Sequence, residues 1–156
     1  MPVAAQSPET TASSARERQV LDFFARWGES FDACRASFHE LLADDCIWDQ
    51  RPIPRLTGPR QAVRFLDITR RAMGLDTIDV EILRVARAGS VVHVERIDRL
   101  RRRDGSLIAA APVAGVLTFS GDRVVHWREY FDSSGFVMQA LDTSLLHLAR
   151  RPFRTR

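Results

Sequence analysis

Two periodicities divide the chain. From Ala15 to Trp27 the apolar residues Val20, Leu21, Phe23, Phe24 and Trp27 recur at helical spacing, with Ser13 or Ser14 available as an N-cap and Gly28 as a stop. A second helix is predicted over roughly Asp32 to Leu42, with Cys34, Phe38, Leu41 and Leu42 on one side, before Asp44-Asp45 turns the chain. Cys46 to Gln50 reads as a short strand ended by Pro52 and Pro54. The loop from Pro54 to Gly58 leads into a third helix, Pro59 to Met73, with proline suited to its first turn and Gly74 to its end.

Beyond Gly74 the spacing changes from helical to strand-like. Thr77 to Arg87, Ser90 to Arg102, Leu107 to Phe119 and Arg123 to Asp132 read as strands separated by Ala88-Gly89, Asp104-Gly105 and Gly121-Asp122, so consecutive antiparallel strands follow. Pro112, inside the third of these, predicts a bulge or bend. Phe136, Ala140, Leu141, Leu145 and Leu148 return to helical spacing, and Pro152 ends any helix before it. The fold class is therefore α+β, with helices packed on one face of a sheet and room for a pocket between them.

Composition narrows the picture. With 156 residues, 45% of them hydrophobic, one domain with a sizeable core is expected over residues 15–149, flanked by a Pro/Ser/Thr-rich disordered tail (1–14) and a short C-terminal tail (150–156). No apolar run reaches the roughly 18 residues of a membrane span, and Met1 to Ser14 lacks signal-peptide character, so a cytoplasmic protein is expected. Cys34 and Cys46 are twelve apart without a CxxC, which favours buried thiols. The net charge of +3 and the pI of about 9.6 raise the question of nucleic acid. Yet all 23 basic residues are Arg and are spread along the chain, a compositional bias that argues against a nucleic-acid partner. The absence of Lys removes Schiff-base chemistry.

The candidate chemistry sits on two strands. Arg96 and Asp98 share a strand face with Val92, Val94 and Leu100, and charges among apolar neighbours are costly unless paired. Asp132 closes the second strand, Val124 to Asp132, so an Asp-Arg-Asp cluster is possible if the strands share a sheet. Two carboxyls whose environments separate their pKa values can serve as general acid and general base, and an Arg between them would lock their geometry. A buried structural ion-pair network, or an exposed charge ladder, would use the same residues. His39, His93, His126 and His147 lack metal-ligand spacing, and no phosphate loop or nucleophile elbow occurs, so neither metal nor cofactor is predicted.

Arg96-Ile97-Asp98, then Trp127-Arg128-Glu129-Tyr130-Phe131-Asp132, with Trp48-Asp49-Gln50 upstream, resembles the limonene-1,2-epoxide hydrolase family over roughly residues 16–142. That family lies in the nuclear transport factor 2-like, or SnoaL-like, superfamily. The resemblance implies a strongly curved mixed sheet around a cone-shaped pocket, a homodimer, and cofactor-independent addition of water to an apolar epoxide in one step. By position it implies Asp132 as general base, Asp98 as general acid and Arg96 as the bridge. Where the family has a Tyr and an Asn that orient the attacking water, this chain has Trp48 and Gln50, and an indole can donate but not accept. That departure also suits a relative that opens epoxides with a substrate hydroxyl, or an isomerase in which Asp98 and Tyr130 act. A non-catalytic binding module on the same fold is the third class. Leu66, Met73, Val113, Leu117, Met138 and Tyr130 are expected to line the pocket.

Overall fold

The structure, a computed structural model, describes residues 8–149, with side chains over 15–147. In chain order the elements are α1 (Pro8–Glu29), α2 (Phe31–Leu41), β1 (Leu42–Gln50), β2 (Leu56–Thr57), α3 (Gly58–Met73), β3 (Leu75–Ala88), β4 (Val91–Arg102), β5 (Leu107–Ser120), β6 (Arg123–Phe131) and α4 (Ser133–Ala149). The six strands form one curved open sheet in the order β2-β1-β6-β5-β4-β3. Strands β3 to β6 make the expected antiparallel meander, and β1 joins β6 in parallel, so the sheet is mixed. The α+β class predicted from the sequence is the class observed.

Local chemistry accounts for the element ends. The Ser30 hydroxyl caps α2 by accepting from the Ala33 N–H at 3.0 Å. Gly58 starts α3 at φ +69°, and a Cβ there would stand 2.2 Å from the Asp44 carbonyl oxygen, so only glycine lets the chain enter the helix beside β1. The N–H of Gly74 caps the other end on the Arg70 carbonyl at 2.8 Å. Register shifts in β3, β5 and β6 add twist to the long strands and curl the sheet around its helical face.

Several expectations are corrected. Residues 8–14 continue α1 instead of forming a tail, which places Ser13 and Ser14 inside the helix; a first-turn proline such as Pro8 has no N–H to leave unpaired. Residues 1–7 and 150–156 lie outside the described residues. Strand β1 begins at Leu42, and Asp44-Asp45 falls in an irregular stretch of it rather than in a turn. Pro112 makes no bulge: its pairing with Ile97 is regular, and it stands one residue beyond the last β5–β6 pair, Val113 with Phe131, where a missing N–H interrupts no ladder.

Between sheet and helices lies an aromatic core. The Trp48 and Trp127 rings stack with centroids 4.5 Å apart and planes 5° apart, while Trp27 stacks on Phe38, and Phe23 and Phe24 meet these rings edge-on. Cys34 and Cys46 are buried free thiols in this region, each pushed up to about 12 by desolvation.

Candidate active site

Alternation along β4 sends Val92, Val94, Arg96, Asp98, Leu100 and Arg102 into the interior. Arg96 is 1% exposed, and its Nε and Nη2 donate to the two oxygens of Asp98 at 2.8 and 2.9 Å. Nη2 also donates to Oε1 of Glu129 on β6, two strands away. The register explains the reach. Val94, Gly115 and Glu129 form one row across β4, β5 and β6, and the Arg96 side chain slants over Gly115 to reach it. A Cβ on Gly115 would lie 3.0 Å from Arg96 Nη1 and equally close to Val94 Cγ1, so the missing side chain is the passage for the guanidinium.

The remaining partners come from α1 and β1. Phe24 lies under the guanidinium, with Cζ 4.2 Å from its ring centroid, and Trp27 is slightly further away. Trp48 Nε1 donates to the second Glu129 oxygen at 3.1 Å. Gln50 follows Trp48 on the same face of β1, in register with Glu129, and its Nε2 is buried with no protein partner among the described residues.

Burial sets the electrostatics. Glu129 is pushed above the usual carboxylate range by desolvation, opposed by Arg96, raised further by the nearby Asp98 and lowered by the Arg96 and Trp48 hydrogen bonds. Asp98 is likewise raised by desolvation and opposed by the charge and hydrogen bonds of Arg96. For Arg96, burial works against the charge, but the pull of Glu129 and Asp98 prevails and the guanidinium stays firmly protonated. One cation thus faces two carboxyls, both biased toward holding a proton.

These groups stand in the wall of a cavity of about 130 Å³. Its other walls are apolar, among them Phe65, Leu66, Met73, Val113, Phe131 and Phe136. Such an apolar chamber strengthens every charge interaction at its polar end. Of the expected lining, Leu66, Met73 and Val113 are in place. Leu117 is instead wholly buried in the core, Tyr130 is 58% exposed and Met138 is 67% exposed, so these three are corrected. Tyr130 alternates with Glu129 and faces out, and Met138 lies on the outward side of α4. Among the described residues no three His, Cys, Asp or Glu side chains gather as a metal cage would require.

The main correction concerns Asp132. It follows the end of β6, is exposed, and its Oδ1 accepts from the Ser134 N–H and hydroxyl and from the Gly135 N–H, at 3.1, 2.7 and 3.1 Å. These bonds hold its carboxyl below the ordinary value and make it the cap of α4. The carboxyl that meets Arg96 is Glu129, which sequence reasoning passed over. Strand parity carries the signal: Trp127, Glu129 and Phe131 alternate inward, while Arg128, Tyr130 and Asp132 do not. Asp98, Arg96, Trp48 and Gln50 are brought together as the sequence suggested.

Known proteins resemble this chain in sequence and in fold. A family model for the limonene-1,2-epoxide hydrolase catalytic domain matches residues 18–142. Epoxide hydrolase EphG of Mycobacterium tuberculosis is 33% identical over 127 residues, 81% of this chain and 79% of that protein. A solved epoxide hydrolase of the same limonene-1,2-epoxide hydrolase-like type from M. tuberculosis superposes with a TM-score of 0.67 at 25% identity, covering 92% of this chain and 94% of that one. At 20% identity, a protein from Jannaschia sp. CCS1 provisionally named a SnoaL-like polyketide cyclase shares the fold with the same TM-score, covering 88% and 96% of the two chains.

Proposed function

The chain belongs to the limonene-1,2-epoxide hydrolase family, and on that premise we propose that it opens an apolar epoxide with water at the Asp98-Arg96-Glu129 cluster, without a cofactor. The observation that carries this reading is Arg96, clamped between two buried carboxyls at the polar end of an apolar cavity. Ionised Glu129 takes a proton from a water held beside Gln50 while the water oxygen attacks one epoxide carbon. As that carbon–oxygen bond breaks, protonated Asp98 gives its proton to the departing oxygen. A vicinal diol results, with the proton now on Glu129, and transfer back to Asp98 restores the site. Arg96 keeps the carboxyls in place and couples their titrations, so that one proton is shared between them.

Purified protein incubated with mono- and disubstituted epoxides in oxygen-18 water is expected to give singly labelled diol. Glu129→Gln and Asp98→Asn are each expected to lose roughly 100- to 10,000-fold in rate. Unlabelled cyclic ether from a hydroxy-epoxide, with no diol from any epoxide, would favour the second reading, in which a substrate hydroxyl replaces water. The observation on its side is Trp48, whose N–H is engaged by Glu129 and whose ring has no acceptor for a water. A cytoplasmic homodimer belongs to the same proposal, and sedimentation checks the assembly. Val137, Met138, Leu141 and Leu145 give α4 an exposed apolar face suited to a partner.

A further inference from the structure

A second cavity of about 500 Å³ opens at the other end of β4, lined by Arg71, Met73, Gly74, Arg102, Arg103, Asp104, Ser144 and His147. Met73 lines both cavities, and Asp98, Leu100 and Arg102 run between them on one face of β4. At the rise of an extended strand, Asp98 and Arg102 are about 13 Å apart. Met73 is the lining residue that the two spaces share.

Arg102 is the anomaly on that strand face. It is only 8% exposed, yet its guanidinium is held by neutral acceptors: the Leu107 carbonyl at 3.2 Å, the Ser144 hydroxyl at 3.0 Å and the Ser106 hydroxyl at 3.5 Å. Among the described residues no carboxylate forms an ion pair with it, nor with Arg71 or Arg103, whereas Arg96 on the same strand face has two. Asp104, close enough to feel the charge of Arg102, is the one acid in the groove, so a buried guanidinium fork there has room for a further carboxylate. The acid in the groove, Asp104, is exposed at the hairpin turn, bonded through Oδ1 to the Ser106 N–H and 3.7 Å from His147. It leaves the three arginines in excess.

We propose that this groove is the head-group subsite of the active site, and that the substrate is an amphiphile with an epoxide at one end and a carboxylate at the other. The proposal rests on the epoxide-opening reading for its chemical end and on Arg71, Arg102 and Arg103 for its anionic end. A span of about 13 Å is covered by roughly ten to twelve bonds of extended chain, which sets the length of the apolar spacer. The apolar side chains of Leu100 and Met73 lie along its course.

Binding and turnover test the two halves separately. Calorimetry with epoxide-free probes compares decanoate with 1-decanol. Decanoate is expected to bind about tenfold more tightly, the margin narrowing with added salt and disappearing in the Arg71→Gln/Arg103→Gln double variant, whose side chains are exposed and whose fold is checked by circular dichroism. Equal affinity for acid and alcohol, or a margin untouched by both that variant and Arg102→Gln, would overturn the proposal. In turnover, 9,10-epoxydecanoate is expected to exceed its methyl ester in kcat/KM, mainly through KM. A binding margin without diol from either compound would uphold the anion subsite and reject the epoxide reading instead.

Discussion

Glu129 and Asp132 are three residues apart, yet their surroundings assign them opposite work. Glu129 is desolvated and touches both Arg96 and Trp48, whereas Asp132 is in solvent at the N-terminus of α4. Glu129→Gln therefore removes the proposed proton acceptor, with the expected loss in rate given above, while Asp132→Asn is expected to keep activity close to wild type and only slightly lower the melting temperature. A steady-state assay beside a thermal melt separates the two. Trp48 acts through Glu129: its N–H stabilises the ionised carboxylate, so Trp48→Phe, which keeps an aromatic ring against Trp127, raises the Glu129 pKa further. The acid limb of the kcat/KM profile is then expected to move to higher pH, the basic limb staying in place. Gly115, on the strand between Asp98 and Glu129, shows why the cluster needs a small residue there, since any side chain would meet Arg96 Nη1.

Among the elements, α3 couples fold and cavity most directly. It begins at Gly58 under the Asp44 carbonyl and supplies Phe65, Leu66, Thr69 and Met73 to the wall. Gly58→Ala would put a Cβ 2.2 Å from that oxygen in a left-handed conformation, so a destabilisation of at least about 2 kcal/mol is expected in urea unfolding. A fall in activity at temperatures where the variant remains folded would report displacement of the α3 side chains from the cavity. Strand β4 is the other organising element: its inward face carries Arg96, Asp98, the apolar Leu100 and the cation Arg102 in succession. The single-face alternation that places Arg96 beside Asp98 also aligns the proposed head-group subsite with the chemistry.

The molecule as a whole bears the cost of keeping two carboxyls in its interior. Both Asp98 and Glu129 have pKa values raised on folding, so their favourable contribution is complete below the ordinary carboxyl range and is lost as pH rises through the raised values. Stability at neutral pH should accordingly fall short of that near pH 4 by more in the wild type than in Glu129→Gln, where one of the two groups no longer titrates. Chemical denaturation at a series of pH values checks this, and parallel curves for the two proteins would contradict it. Such a cost is characteristic of sites whose polar groups serve chemistry rather than packing.

The α+β class, all four helices, two of them to within a residue at each end, and the four-strand meander were legible along the chain, because periodicity is a local property that each segment carries alone. Arg96, Asp98, Trp48 and Gln50 were legible for the same reason, since i and i+2 on one strand must face the same way. Alternation also marks Glu129 as inward, but which acid meets Arg96 depends on the register of three strands and on the opening at Gly115, and these pairings join residues 33 apart. The parallel docking of β1 on β6, which sets Trp48 and Gln50 against Glu129, is likewise a non-local pairing. Leu117, Met138 and Tyr130 were misplaced because an apolar or aromatic residue type does not say which of two faces, core, cavity or solvent it will meet. Alternation fixes what each strand can offer; packing between strands and helices selects which of those offers meet, because burial and register are properties of neighbours distant in the chain.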